Sequence, residues 1–243
     1  VLFFTIPRVF EGHYGVIQHN AIKSWTLLEP RPRIIFTGID EPSVRDVAAQ
    51  YGAEAVETRR SEEGIPLVNS SINLAMDRRE PGEIMMCANA DGIYFGVMEA
   101  AQVAGEHLEE FMLVGQRHDV DVTEPLDFSG NWQEHLLDLD RDLFGPCAVD
   151  YFMFRGDFLL DMPDFAVGRT SYDNWAVWRA LEEGVPVIDA TDDVLLLHQR
   201  HDRPSRRSDP VKRNRDLLWQ DLDGRYGVNS ATWRLTDGEL CSL

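Results

Sequence analysis

Cysteine is scarce in this chain of 243 residues. Cys87, Cys147 and Cys241 stand far apart and form no CxxC pair, which argues against a zinc ribbon or a dithiol centre. So few scattered thiols suit a reducing compartment, with the cysteines incidental. No apolar run approaches the roughly 20 residues that cross a bilayer, so no membrane partner is expected. The opening VLFFTI has no basic flank and runs into Pro7-Arg8, so it reads as a first strand rather than a secretory leader. A cytoplasmic location is the expectation. GxxxxGK[ST] and GxGxxG are both missing, which excludes a P-loop enzyme and an ordinary dinucleotide fingerprint. GxSxG is missing too, so a serine nucleophile elbow is excluded. Positive charge is short as well. Lys and Arg number 23 against 42 Asp and Glu, a net charge of −19. Taken whole, that balance argues against a polyanionic partner.

What is present is a core-forming composition. Hydrophobic residues make up 44% of the chain, with 6 Trp and 12 Phe. That is enough for one sizeable domain and too much for extensive disorder. The few basic residues are not evenly spread. Residues 200–215 hold seven Lys and Arg against Asp202 and Asp209, a net +5, which leaves −24 on the rest. Such an arm is either a solvated loop paired to the acidic body or a surface for phosphates.

Apolar periodicity predicts strands over 2–6, 33–37, 53–56 and 83–88, alternating with helices over 15–29, 41–51 and 66–79. This β-α-β-α-β-α-β rhythm predicts an α/β fold, a mostly parallel, doubly wound sheet with helices on both faces. Ligands of such sheets bind beyond the carboxyl ends of the strands. Beyond about 105 the rhythm changes. Strands are expected over 110–114, 149–154, 185–188 and 194–198, and helices over 131–139, 174–183 and 209–226. The division expected is a ligand-binding half, 1–105, and an elaboration of the same domain, 106–243.

Three stretches could carry chemistry. In MMCANAD a carboxylate, Asp91, ends an apolar strand. It could cap a helix starting near Gly92, or hold a hard divalent cation with Asn89 as a weaker partner. In VLLLHQRHD, His198 ends a strand and His201 and Asp202 follow. Each His could be a ligand, a base or a satisfied core residue. In GRTSYDNWAVW, Thr170 and Asp173 have the spacing of a capping box, with Asp in the place of Glu. Asp173 at a helix start beside a cleft could equally be a general base.

Taken together, FTIPRVFEGHYGVIQHNAIKSW, IIFTGID, EEGIPLVNSSINLA, MMCANAD, FMLVGQRHDVDV, AVDYFMFRGD, FAVGRTSYDNW, VPVIDAT and LLHQRHD resemble consecutive blocks of GT-A-fold (Rossmann-like) nucleotide-diphospho-sugar transferases. The resemblance runs from about residue 3 to about residue 202. It implies a glycosyltransferase with a UDP-sugar as the commonest donor and Mn²⁺ or Mg²⁺ as cofactor. It implies that Thr5, Pro7 and Arg8 line the nucleotide pocket and that Gly38 and Asp40 contact base or ribose. Asn89, Ala90 and Asp91 would be the DxD-like motif, with Asp91 on the metal. Arg117 and Asp119 would lie near the donor sugar, and His198 would complete the metal site. Asp173 stands where inverting members place the catalytic base. Asn89 departs from the family pattern, which often has an acid there.

The acceptor is read from the basic segment and from a further resemblance. Stand-alone enzymes similar to this chain include some that glucosylate hydroxymethylated pyrimidines in viral DNA. A 5-hydroxymethylpyrimidine such as 5-hydroxymethylcytosine is therefore the leading acceptor, as in a bacteriophage-infected cell. Such a base would be flipped out to reach Asp173. Arg169, Arg200, Arg206, Arg207 and Arg213 would face the acceptor. Trp175, with Trp132 and Trp178, would offer rings for stacking, or pack the core. Two other readings stay open: a glycan acceptor, and a non-catalytic nucleotide-sugar or nucleic-acid-binding module, which Asn89 favours.

Overall fold

The segment Leu2–Thr5 (β1) is LFFT, apolar on both faces of the strand. Its Phe3 packs on one layer of side chains, its Leu2 and Phe4 on another. A strand buried on both faces is the signature of a sheet covered on each side by helices. In the computed structural model the described residues are 1–39, 42–168, 172–202, 213–214, 216–217 and 226–243. The expected helix over 209–226 falls largely outside them, as do Asp40, Arg169, Arg206 and Arg207.

In chain order β1 is followed by α1 (Gly12–Trp25), β2 (Arg33–Thr37), α2 (Pro42–Gln50), β3 (Glu54–Val56), α3 (Val68–Arg78), β4 (Met85–Ala88), β5 (Gly92–Phe95) and α4 (Val97–His107). Next come β6 (Phe111–Val114), β7 (Arg117–Val120), α5 (Trp132–Leu137), β8 (Arg141–Leu143), β9 (Tyr151–Arg155), α6 (Tyr172–Glu182), β10 (Val187–Asp189) and β11 (Leu195–Gln199). A 3-10 turn (Val228–Ser230) leads to the hairpin β12 (Trp233–Thr236) and β13 (Glu239–Ser242).

The large sheet has the order β13-β12-β10-β6-β9-β4-β1-β2-β3. Its pairs are parallel except where β9 lies between β4 and β6, and where β13 closes the hairpin. One face is covered by α1, α2 and α4, through Trp25, Val44 and Val97. The other is covered by α3 and α6, through Ile72, Trp175 and Val177. The expected α/β, mostly parallel, doubly wound architecture is therefore present. Strands from both halves of the chain share this one sheet.

A second, four-stranded sheet, β5-β11-β7-β8, has no counterpart in the expectations beyond β11. In particular, 92–95 is a strand and the next helix begins only at Val97, after Gly96. Asp91 therefore caps no helix at Gly92, and that alternative is withdrawn. The small sheet positions the site. β11 pairs antiparallel with β5, so His198 lies opposite Gly92, beside Asp91. It pairs parallel with β7, so His198 also lies opposite Asp119. Among the described residues no helix is long and apolar enough to cross a membrane.

Candidate active site

Asp91 leaves the end of β4 and meets the end of β11. Gln199, fully buried, fastens the crossing. Its backbone N–H and side-chain amide both donate to the Asp91 carbonyl, at 3.4 and 3.0 Å. The Gln199 amide also donates to the Ile17 carbonyl, and Asn20 of α1 donates to its oxygen. A buried polar side chain with every group engaged holds its neighbours in one geometry.

That geometry brings Asp91, His198 and His201 together, with one ligand atom of each within 4.8 Å of the others. His201 Nε2 lies 3.0 Å from Asp91 Oδ2, and His198 Nε2 lies 3.7 Å from the same oxygen. The remaining nitrogens also face oxygens. His198 Nδ1 is 3.1 Å from Asp119 Oδ1, and His201 Nδ1 is 3.2 Å from the Tyr14 hydroxyl and 2.9 Å from the Asp202 carbonyl. His201 uses both ring nitrogens, whereas His198 Nδ1 makes no hydrogen bond among the described residues and its Nε2 stands 3.7 Å from Asp91 Oδ2. Asp91, His198 and His201 could together hold a divalent cation. Asp91 Oδ1 is buried and accepts no hydrogen bond among the described residues. Burial pushes the Asp91 carboxyl up, but the His201 hydrogen bond and the charges of His198 and His201 outweigh it and hold it below its ordinary value. The hydrogen bond to Asp91 in turn raises His201. Two imidazoles and one carboxylate suit a divalent transition-metal cation better than Mg²⁺, which favours an all-oxygen shell.

Asn89 does not join this cluster. Its amide donates to Asp150 Oδ1 at 3.1 Å. A carboxylate at position 89 would meet Asp150 as a like charge, where the Asn89 amide makes a hydrogen bond. Arg117, buried, lies between two carboxylates: its Nε is 2.8 Å from Asp119 Oδ1 and its Nη1 donates to Asp150. Its guanidinium sits 4.2 Å over the Phe144 ring. A continuous polar chain thus runs from His198 through Asp119, Arg117 and Asp150 to Asn89.

Asp173 lies within electrostatic reach of Asp150. It occupies the first turn of α6, where its carboxylate accepts from the Val149 N–H at 3.4 Å. Burial pushes its carboxyl up to about 6, against the lowering effect of backbone N–H groups of Asn174 and Val149; Asp150 adds to the rise. Cys87 is pushed up to about 12 by burial and then by Asp173, so this thiol stays protonated. Burial raises the Tyr172 phenol well above its ordinary value, and Cys87, Asp173, Asp150 and Asp91 add to the rise.

The other expected positions distribute as follows. Thr5 ends β1, buried, with its hydroxyl oxygen without a partner among the described residues. Pro7 and Arg8 follow it, and the Arg8 guanidinium lies 4.5 Å over the Tyr14 ring. Gly38 directly follows β2 at φ +75, where a Cβ would meet Ile6 and Pro66 at 2.9 Å, and its carbonyl accepts from Arg60. Ala90 is buried between Asn89 and Asp91. Trp175 requires correction: only 6% exposed, it packs between Phe165 and Trp178 and is a core residue, not a stacking platform. Trp132 packs with Phe95 and Phe128. Arg200 pairs with Asp121 and Asp142, and Arg213 with Glu63. Those two arginines are thus engaged by the acidic body. His201, marked in HQRHD as a possible ligand, joins the cluster, although the resemblance placed only Asp91 and His198 on the metal. The sequence reading missed Tyr14 and Asp150, for which no local signal exists.

No protein-family model matches the chain, and no curated protein matches it. Solved structures do resemble it. A candidate nucleotide-diphospho-sugar transferase from Desulfovibrio desulfuricans G20 is 11% identical, with a TM-score of 0.48 over 91% of this chain and 96% of that one. The inositol-1-phosphate CTP transferase of T. maritima is 11% identical, with a TM-score of 0.44 over 91% and 96%. Residues 1–349 of TarS from S. aureus are 13% identical, with a TM-score of 0.37 over 50% of this chain, which spans only 36% of that one. Likeness at this level leaves the chemistry to be argued from the side chains of the cleft.

Proposed function

We propose that this chain is a cation-assisted glycosyltransferase that moves a sugar from a nucleotide-diphosphate sugar, a UDP-sugar first, to an acceptor hydroxyl with inversion. The observation that carries the reading is the convergence of Asp91, His198 and His201 at the carboxyl ends of the strands, with a second buried carboxyl, Asp173, at the head of α6. A divalent cation held by Asp91, His198 and His201 would neutralise the charge that develops on the departing diphosphate. Thr5, Pro7, Arg8 and Gly38 border the place for the nucleotide. Asp173 takes the proton of the acceptor hydroxyl. The acceptor oxygen bonds to the anomeric carbon as the bond from that carbon to the diphosphate oxygen breaks, and the electron pair leaves with the diphosphate. A carboxyl poised near 6 is a usable base at neutral pH.

For the acceptor, the net +5 of residues 200–215 supports a 5-hydroxymethylpyrimidine in DNA. The ion pairs of Arg200 and Arg213 favour the second reading, a glycan acceptor, because those cations already have partners. The test is intact-mass spectrometry after incubation with Mn²⁺ and UDP-, GDP- and dTDP-sugars, against duplex DNA with and without 5-hydroxymethylcytosine. A hexose-sized gain on modified DNA alone is the expected result. Hydrolysis of the sugar nucleotide without transfer to DNA moves the acceptor to a glycan. Neither transfer nor hydrolysis sinks the enzyme reading and leaves a binding module.

A further inference from the structure

The first turn of α1 grips the chain just beyond β11. His13 Nε2 donates to the Arg200 carbonyl at 2.8 Å, and the Tyr14 hydroxyl donates to the Asp202 carbonyl at 2.6 Å. Since the phenol proton is committed to Asp202, the phenol oxygen is an acceptor toward His201 Nδ1, 3.2 Å away. The second group at that nitrogen, the Asp202 carbonyl, can only accept. Both neighbours therefore demand a proton on Nδ1. The Nε2 atom, on the opposite edge of the ring, faces Asp91. The Tyr14 and His201 rings lie with centroids 5.1 Å apart, so the imidazole plane is also steered by contact. The phenyl ring of Tyr14 has a second use, because the Arg8 guanidinium lies over it at 4.5 Å.

We propose that Tyr14 is a positioning residue that joins two binding events: its hydroxyl fixes the Asp202 carbonyl and with it holds His201 in the tautomer that turns Nε2 toward the cation, and its ring holds Arg8 toward an anionic diphosphate. The inference rests on the cation reading of the Asp91, His198 and His201 cluster. A hydrogen-bond partner on the far nitrogen of a metal-binding histidine commonly changes affinity about 10- to 100-fold. A cation stacked on a tyrosine face contributes more modestly. One side chain thus serves cation and diphosphate through chemically separate atoms, which substitution can separate.

The experiment titrates Mn²⁺, and separately UDP without metal, into the full chain by calorimetry. Free Mn²⁺ is checked by electron paramagnetic resonance. The proteins are the wild type, Tyr14→Phe, Tyr14→Leu and Asp91→Ala. Tyr14→Phe is expected to weaken Mn²⁺ about tenfold or more while binding UDP as the wild type does. Tyr14→Leu is expected to weaken both. Melting temperatures close to that of the wild type accompany each, so the loss is not one of folding. Mn²⁺ binding by Tyr14→Phe within twofold of the wild type overturns the proposal, as does an equal loss of UDP binding in the Phe and Leu variants. Failure of the wild type to bind Mn²⁺, or undiminished binding by Asp91→Ala, overturns the underlying cation reading instead, and the proposal with it.

Discussion

Asp173 is asked to do two things that compete. Its carboxylate accepts backbone N–H groups at the head of α6, which suits an anion near a helix N-terminus. Burial nevertheless raises it to about 6. The sign of the stability effect follows. Its folded value lies above its unfolded one, so the protonated form is favoured on folding. The contribution is full below the ordinary carboxylate range and is lost as pH rises through about 6. At neutral pH the ionised group therefore costs about 2–3 kcal/mol, at 1.36 kcal/mol per pH unit. Asp173→Asn should melt higher than the wild type at pH 7.5 and lose that advantage near pH 4. The same variant should retain UDP-sugar binding and lose several orders of magnitude in kcat. Wild-type kcat should rise with pH and level off above about 6. Normal turnover by the Asn variant, or a flat pH profile, would remove Asp173 as the base. Asn89, two residues before Asp91, belongs to this same scale: it is a neutral donor to Asp150.

At the scale of elements, the small sheet decides whether a site exists. Its strands β5, β7 and β8 are short, and two of them read RHDV and RDL, with no apolar alternation to mark them. They form because β11 supplies LLLH between them and because β5 is tethered at its end. That tether is Gly96, with φ +76, between β5 and α4. A Cβ there would lie 2.1 Å from the Asp193 carbonyl oxygen. Gly96→Ala combines a disfavoured backbone conformation with a clash against main chain, which cannot swing aside. The expected cost is about 3 kcal/mol or more, read from urea unfolding, with loss of Mn²⁺ binding as the sheet shifts. A midpoint equal to that of the wild type would show that the loop before β11 yields freely. The helices of the large sheet were more legible, because residues such as Ile17, Ala21, Ile22 and Trp25 of α1 recur at helical spacing on the buried face. The hairpin of β12 and β13 was not, since its strands are mostly exposed and bury little beyond Leu235.

Across the whole molecule, charge is what separates the two acceptors. A body carrying −24 repels DNA at long range, and residues 200–215 carry the +5 that would have to overcome this. Arg213 already meets Glu63 in an exposed pair, an interaction worth little and readily exchanged for phosphate. If DNA is the acceptor, Arg206→Ala, Arg207→Ala and Arg213→Ala combined should weaken binding to hydroxymethylated duplex. They should also flatten the dependence of log affinity on log salt by about 0.9 for each phosphate contact removed. Equal affinity and equal slope in the triple variant would leave the arm as a solvated, self-paired segment and favour the glycan.

The amino-acid sequence by itself determined the layered α/β fold. Short apolar runs such as LFFT and FMLV, alternating with amphipathic helical stretches, suit a sheet covered on both faces, and that pattern is local and cumulative. It also marked Asp91, His198 and Asp173, because a polar group ending an apolar run is conspicuous in one dimension. Only the tertiary structure decided which of them meet. The pairing of His198 with Gly92 and Asp119 is a strand register across more than 70 residues of chain. The approach of Tyr14 to His201 spans 187 residues. The burial that lifts Asp173 comes from elements far from it in sequence. Distances, tautomers and proton affinities depend on neighbours in space, and those neighbours exist only once the chain has closed on itself.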